Sequence, residues 1–329
     1  MPKQAVLLLA HGTPEMVEQI PEYLRNVVSG RPVPQSVVEE IQHRYSLIGK
    51  SPLTEITNAQ ARLVEEELAA AGERIRVYVG MRNWRPYIPD VVKQMRADGV
   101  EEAAVICMAP QNSRTSVGLY RRAVEAEADG LRIDFTAGWA DHPLLADAFA
   151  ERLKPALAKM SAKLGKPVPV LFTAHSVPVR TVEARSASAE TGGPRLWPGS
   201  DAAGDPYAED ARRTAELVAA RVPEIPQWWF AFQSQGASGG PWIGPSVEET
   251  LERIAAERMN ALILQPIGFL CDHVEILFDV DIHFRECAGK LGVQLERPES
   301  LNASHTLARA VTDLAGKGLV RLKTSGVNG

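Results

Sequence analysis

A chain of 329 residues exceeds the usual size of one hydrophobic core and predicts two domains, and 45% hydrophobic with 23% charged residues is enough to fill them. The 36 Lys and Arg against 41 Asp and Glu leave a formal net charge of -5, with no basic run to follow a phosphate backbone, which argues against nucleic acid as a partner. Three scattered cysteines, Cys107, Cys271 and Cys287, fit a reducing compartment and lack zinc or iron-sulfur spacing.

In chain order, the apolar run over residues 5–10 predicts a strand; it is too short for a signal peptide, so a soluble cytoplasmic protein is expected, with room left for peripheral contact with a membrane. Further strands are predicted over 75–80, 103–108 and 131–135, with helical spacing over 53–71 and 115–128. A helix over 143–164 bridges to a second set: strands over 168–173, 227–232, 261–266 and 293–295, helices over 206–220, 247–258 and 273–288. One amphipathic helix follows Leu301, and the end from Leu322 is expected to fray. Residues 180–203, rich in Ser, Ala, Gly and Pro, read as a surface loop or lid. Strands alternating with helices imply an α/β fold of two similar Rossmann-like lobes, each a four-stranded parallel sheet flanked by helices.

The two halves echo each other. VLLLAHGTP from Val6 and VLFTAHSVP from Val170 share five of nine positions at a separation of 164 residues, half the chain length, which suggests internal duplication. Each places a histidine, His11 or His175, at the carboxyl end of a buried strand, where ligands collect in open parallel sheets. Gln111, Asn112, Ser113, Gln233, Ser234, Asp272 and His273 also follow predicted strands and would share that rim. In the helix from Cys271, Glu275, Asp279 and His283 recur at i, i+4, i+8. Carboxylate, carboxylate and imidazole in such a ladder suit a divalent cation, and the same spacing suits a solvated helix face. The apolar IGFL just before it places Glu275 near the rim. Trp242 falls in the Gly- and Pro-rich GGPWIGP, a loop from which it could cover a flat ligand. No nucleotide or serine-hydrolase motif is present.

Several motifs in one order are more specific. AHSVP (174–178), GDPY (204–207), FQS (232–234), GPWIGPSVEETL (240–251) and PIGFLCDHVEILFDVDI (266–282), with RYSLIGKSPLTEITNAQ (44–60) and PQNS (110–113), resemble the ferrochelatases, which insert Fe2+ into a porphyrin. The resemblance implies a class II chelatase-like fold with the porphyrin between the lobes, residues 1–142 with 303–329 forming the first lobe and 143–302 the second. It implies His175 and Glu275 as the catalytic pair and as metal contacts, with Asp279 and His283 continuing a line of metal-handling side chains on a helix widened by a π-turn. Arg44, Tyr45, Ser51 and Tyr120 would touch the porphyrin and its propionates, Ser113 lies in the matching PQNS, and His11 would be an axial contact. Fe2+ and porphyrin are then substrates, with no tightly bound cofactor, no iron-sulfur cluster, and a monomer as the default. The porphyrin is protoporphyrin IX or coproporphyrin III; the short link from His11 to Tyr45 resembles the coproporphyrin-using type, whereas Val28 to Arg31 lacks the paired arginines some of that type carry. A cobalt or sirohydrochlorin chelatase and a non-enzymatic haem or metal carrier are the rival readings. A His175 that must be neutral predicts activity falling as pH drops toward about 6.5.

Overall fold

The first apolar run forms a strand with no solvent face. In this computed structural model, which describes residues 2–114, 116–179, 205–235 and 241–325, β1 (Gln4–Ala10) is parallel to both its neighbours, and Ala5 to Leu9 are completely buried. Burial on both faces is what a parallel strand covered by helices requires, which is why the sequence reads as an unbroken apolar run.

With β2 (Arg76–Met81), β3 (Glu102–Cys107) and β4 (Arg132–Thr136), it makes an all-parallel sheet of order β2-β1-β3-β4. The second sheet, from β5 (Val170–His175), β6 (Trp228–Gln233), β7 (Ala261–Pro266) and β8 (Gln294–Glu296), has the order β6-β5-β7-β8 and is also parallel throughout. The two orders are the same once the strands of each lobe are counted separately. In each, the first strand lies between the second and third, so the strand order reverses beside it and opens a crevice at its carboxyl end. His11 follows β1 and His175 ends β5, so the repeated motif occupies the same topological position in both lobes.

The helices of the first half are α1 (Ile20–Val27), α2 (Gln35–Ile48), α3 (Leu53–Ala70), α4 (Ile88–Ala97) and α5 (Val117–Glu125). Those of the second are α6 (Pro143–Leu164), α7 (Tyr207–Ala219), α8 (Val247–Ala256), a π-helix (Glu275–Phe284) running into α9 (Arg285–Lys290), and α10 (His305–Ser325). Ser246 and Glu249 cap α8 reciprocally: the Ser246 hydroxyl accepts from the Glu249 N–H at 3.1 Å, and the Ser246 N–H donates to the Glu249 carboxylate at 2.9 Å. α10 crosses back onto β3, β4 and α3, where Arg321 grips Asp134 through two bonds of 2.8 and 2.6 Å. α6 packs on α7 and β7 and also against α10. One continuous core therefore runs through both lobes, from Val6 and Leu8 through Phe149, Leu153 and Val311 to Val170 and Phe172. A shared core holds the rims of the two sheets in a fixed relation.

The strand expectations are met to within a residue or two. The helix expected over 115–128 is shorter, and the last helix runs on to Ser325, past the point where fraying was expected. Three helices were not named from the sequence, α1, α2 and α4; the first two form a lip on the first lobe, where Ile20, Tyr23, Leu24, Val38, Tyr45 and Trp84 make a small core of their own. Residues 180–203, read as a loop or lid, lie outside the described residues. No helix among the described residues is long and apolar enough to cross a membrane.

Within the helix expected over 273–288, the widening that the resemblance implied is present and longer than a single turn: Glu275–Phe284 form a π-helix of ten residues. Ile276, Val280 and Phe284 on this helix are buried in the core of the second sheet's outer face. Asp281 is held by Arg297, whose Nε and Nη2 donate at 2.9 and 2.7 Å, while Nη1 lies 3.2 Å from Asp272. Arg297 is only 10% exposed and its two carboxylates about a fifth, so removing the cation leaves Asp272 to the neutral donors Ser300 and Asn302 and Asp281 to a longer contact with Arg285. Arg297→Ala is expected to cost about 3 kcal/mol of unfolding free energy in urea titration, as for a buried pair broken from one side.

Candidate active site

β5 delivers His175 to the rim, and the backbone around it is fixed by groups that leave its ring free. The Tyr207 hydroxyl donates to the His175 carbonyl at 2.8 Å, and the Ser176 N–H donates to the Gln233 carbonyl at 2.6 Å. Behind it, Gly268 has no room for a side chain, since a Cβ there would lie 3.0 Å from the Cα of Ala174. Glu275 opens the π-helix, its carbonyl accepting from the Gln233 side-chain amide at 3.4 Å. The Nδ1 of His175 and the Oε2 of Glu275 stand 2.9 Å apart. Both atoms are shut off from solvent, and neither has a well-directed hydrogen bond, so the contact is a close charge pair. The side chains as wholes are 35% and 31% exposed, leaving other edges open to a ligand.

The electrostatics follow from that proximity. Burial disfavours the imidazolium, but Glu275, with help from Asp279, outweighs it and raises the His175 pKa above 6.5. Burial likewise opposes the Glu275 carboxylate, yet His175, His273 and His11 together hold its pKa below the usual range. Each group thus favours the charged form of the other, and the pH threshold of about 6.5 expected for free histidine moves upward.

Two more histidines flank the pair and are neutral. His273 is buried, its Nδ1 3.1 Å from the Cys271 carbonyl, which can only accept, so Nδ1 carries the proton and Nε2 is the free lone pair. Burial lowers its pKa, and Phe269 lies between it and His175, with ring centroids 4.5 and 6.3 Å away. His11 sits on the first lobe, its Nε2 2.9 Å from the Tyr23 hydroxyl and 3.1 Å from the Asn83 amide. Burial, and then Arg82, push its pKa down to about 4. The bend after it demands Gly12: φ is +76°, and a Cβ would stand 2.8 Å from the Cβ of Met81 and 2.9 Å from the Trp84 nitrogen.

The outer part of the expected metal line is arranged differently from the spacing argument. Asp279 is buried with both oxygens taken: Arg44 Nη1 donates to Oδ1 at 3.1 Å, and the Ser234 hydroxyl donates to Oδ2. Burial and then Glu275 raise its pKa to about 6. His283 is exposed and pairs with Glu248 at 3.2 Å. Arg44, Ser234, Glu248, Asp279 and His283 border a polar cavity of about 310 Å³. No three His, Cys, Asp or Glu side chains among the described residues converge as a ready metal cage.

Arg44 thus faces Asp279 instead of open solvent, and its guanidinium lies 4.9 Å from the Phe278 ring centroid. Four other expected porphyrin contacts lie beneath the cleft surface. Tyr45 is fully buried in the lip core, and Ser51 accepts from the Thr13 hydroxyl at 2.8 Å. Ser113 is turned to Asp205 at 3.4 Å, and Tyr120 is packed in the first lobe's outer core with Arg82 6.0 Å above its ring. All four are almost fully buried, which places them in the packing behind the cleft wall. Trp242 is half-buried and pairs by backbone bridge with Pro178. Tyr23, Arg82, Asn83 and Glu248 were not singled out from sequence. The first three come from segments whose place beside His11 depends on the bend at Gly12, and Glu248 reads as an ordinary helix-start acid.

Comparison with known proteins bears on the family and the fold. A sequence model of the family described as Ferrochelatase matches residues 3–319. A curated protein named Ferrochelatase from Acidobacterium capsulatum is 56% identical over 324 residues, covering 98% of this chain and 97% of its own. A Coproporphyrin III ferrochelatase from Mycolicibacterium vanbaalenii is 35% identical, covering 100% of this chain and 97% of its own. Among solved structures, the sirohydrochlorin chelatase SirB of Bacillus subtilis subspecies spizizenii matches with a TM-score of 0.54 over 96% of this chain and 94% of its own, at 10% identity, a likeness of fold. With two like-ordered parallel sheets, and with the family model and these relatives matching over nearly its whole length, the chain belongs to the ferrochelatase family.

Proposed function

We propose that the chain inserts Fe2+ into a porphyrin held between its lobes, with both as substrates and no resident cofactor, and that His175 and Glu275 are the catalytic residues. The observation that carries this reading is the 2.9 Å contact of the two side chains, each still partly open to the cleft. Insertion exchanges one Fe2+ for two pyrrole N–H protons, so the site must accept protons and let a dication approach the ring nitrogens. A neutral His175 supplies a lone pair for either task, and the Glu275 carboxylate offsets the positive charge that arrives with metal or proton. His11 and His273, both held neutral, add no charge that would repel the metal.

The pH dependence follows in sign. His175 has its pKa raised by Glu275, so its neutral fraction grows only as pH rises through a value above 6.5. Initial rates of iron insertion measured anaerobically against pH should climb across that window. A flat profile from pH 6 to 8 would remove His175 from the proton-accepting role.

A further inference from the structure

We propose that Arg44 is a gate between the lobes that withholds Asp279 from metal until a carboxylate of the substrate draws the guanidinium away. The inference rests on the reading that porphyrin and metal meet in this cleft. Arg44 belongs to α2 on the lip of the first lobe, whereas Asp279 belongs to the π-helix of the second. Their 3.1 Å bond therefore spans the two lobes. With Ser234 on the other oxygen, each carboxylate oxygen of Asp279 already accepts a hydrogen bond, and the one on Oδ1 comes from a cation.

The guanidinium is well placed to leave. Its side chain is 30% exposed, and its Nε is already tethered by Glu40 at 2.9 Å. It borders the cavity of about 310 Å³ that Ser234, Glu248, Asp279 and His283 also line. A dication entering that cavity meets a fixed positive charge beside the ligand it needs, an unfavourable pairing in partly desolvated surroundings. A carboxylate on a bound porphyrin offers the planar, two-oxygen match that guanidinium prefers. Exchange of one carboxylate for another at Arg44 then frees Oδ1 of Asp279 for the metal, with no covalent bond made or broken. Because coupling between two sites is reciprocal, metal on Asp279 should strengthen porphyrin binding through the same arginine.

Calorimetric titration of Co2+ tests this in the full chain, with and without a porphyrin whose ring already holds Zn2+, so that its nitrogens cannot take up the titrant. In the wild type, the porphyrin with free carboxylates is expected to tighten Co2+ binding about tenfold, within the usual range of coupling between sites, and its ester-capped form to leave it unchanged. Arg44→Ala should bind Co2+ at the tightened level from the start and show no further response; Arg44→Lys, a compact charge without the planar fork, should respond less than wild type. Equal Co2+ affinity in wild type and Arg44→Ala, or equal tightening by acid and ester, overturns the gate. If the porphyrin fails to bind the wild type by fluorescence, the parent reading fails and the gate with it.

Discussion

Replacing His175 with alanine is expected to lower the rate of iron insertion by about 10²- to 10⁴-fold, the usual worth of a positioned proton-transfer group. The fold should survive the change. Neighbours hold His175 through its backbone, by Tyr207 on its carbonyl and by the β5 pairing, while the ring's close polar contact is the charge pair with Glu275. A loss of rate with an unchanged urea midpoint would separate chemistry from stability. Full activity in a folded variant would show that the ring plays no part.

Glu275→Gln should act twice. The first effect is on rate, with a loss of at least about 10²-fold, because the amide cannot offset incoming positive charge. The second effect is on the pH profile. Burial alone pushes the His175 pKa down, and Glu275 is the foremost group that raises it. Without that carboxylate the residual activity should reach its plateau at lower pH than in wild type. An acid limb left in place would mean that another group controls the titration. The two effects together would distinguish a working partner of His175 from a residue that only shapes the helix.

The strands were readable because parallel sheets covered on both faces leave apolar runs that nothing else in the chain mimics. The repeat of His11 and His175 at strand ends pointed to equivalent rims, and the sheet orders place both beside the first strand of their lobe. The lip was not readable in the same way. Residues 20–48 do carry helical apolar spacing, at Ile20, Tyr23, Leu24 and Val27 and at Val38, Ile41 and Tyr45, but that α1 and α2 form a lip depends on their packing on Trp84 from a distant segment. The regular i, i+4, i+8 spacing of Glu275, Asp279 and His283 gave no warning that the three would have different partners. Glu275 meets His175, Asp279 is taken by Arg44 and Ser234, and His283 turns outward to Glu248. Periodicity defines a helix face; the elements that pack on each turn of it decide the chemistry, and Arg44 reaches its turn from 235 residues away. For the same reason Tyr45 and Ser51, in a stretch that resembles porphyrin-contact segments, end beneath the surface once α2 and α3 close over them.

The most direct test of the account is the amount of iron porphyrin formed per chain, followed anaerobically with Fe2+ and either protoporphyrin IX or coproporphyrin III in large excess over protein. An enzyme that clamps the porphyrin at His175 and Glu275 and releases the metallated product should form many equivalents with at least one of the two porphyrins. Formation that stops at one equivalent per chain with both would contradict it and leave the cleft as a carrier's binding site.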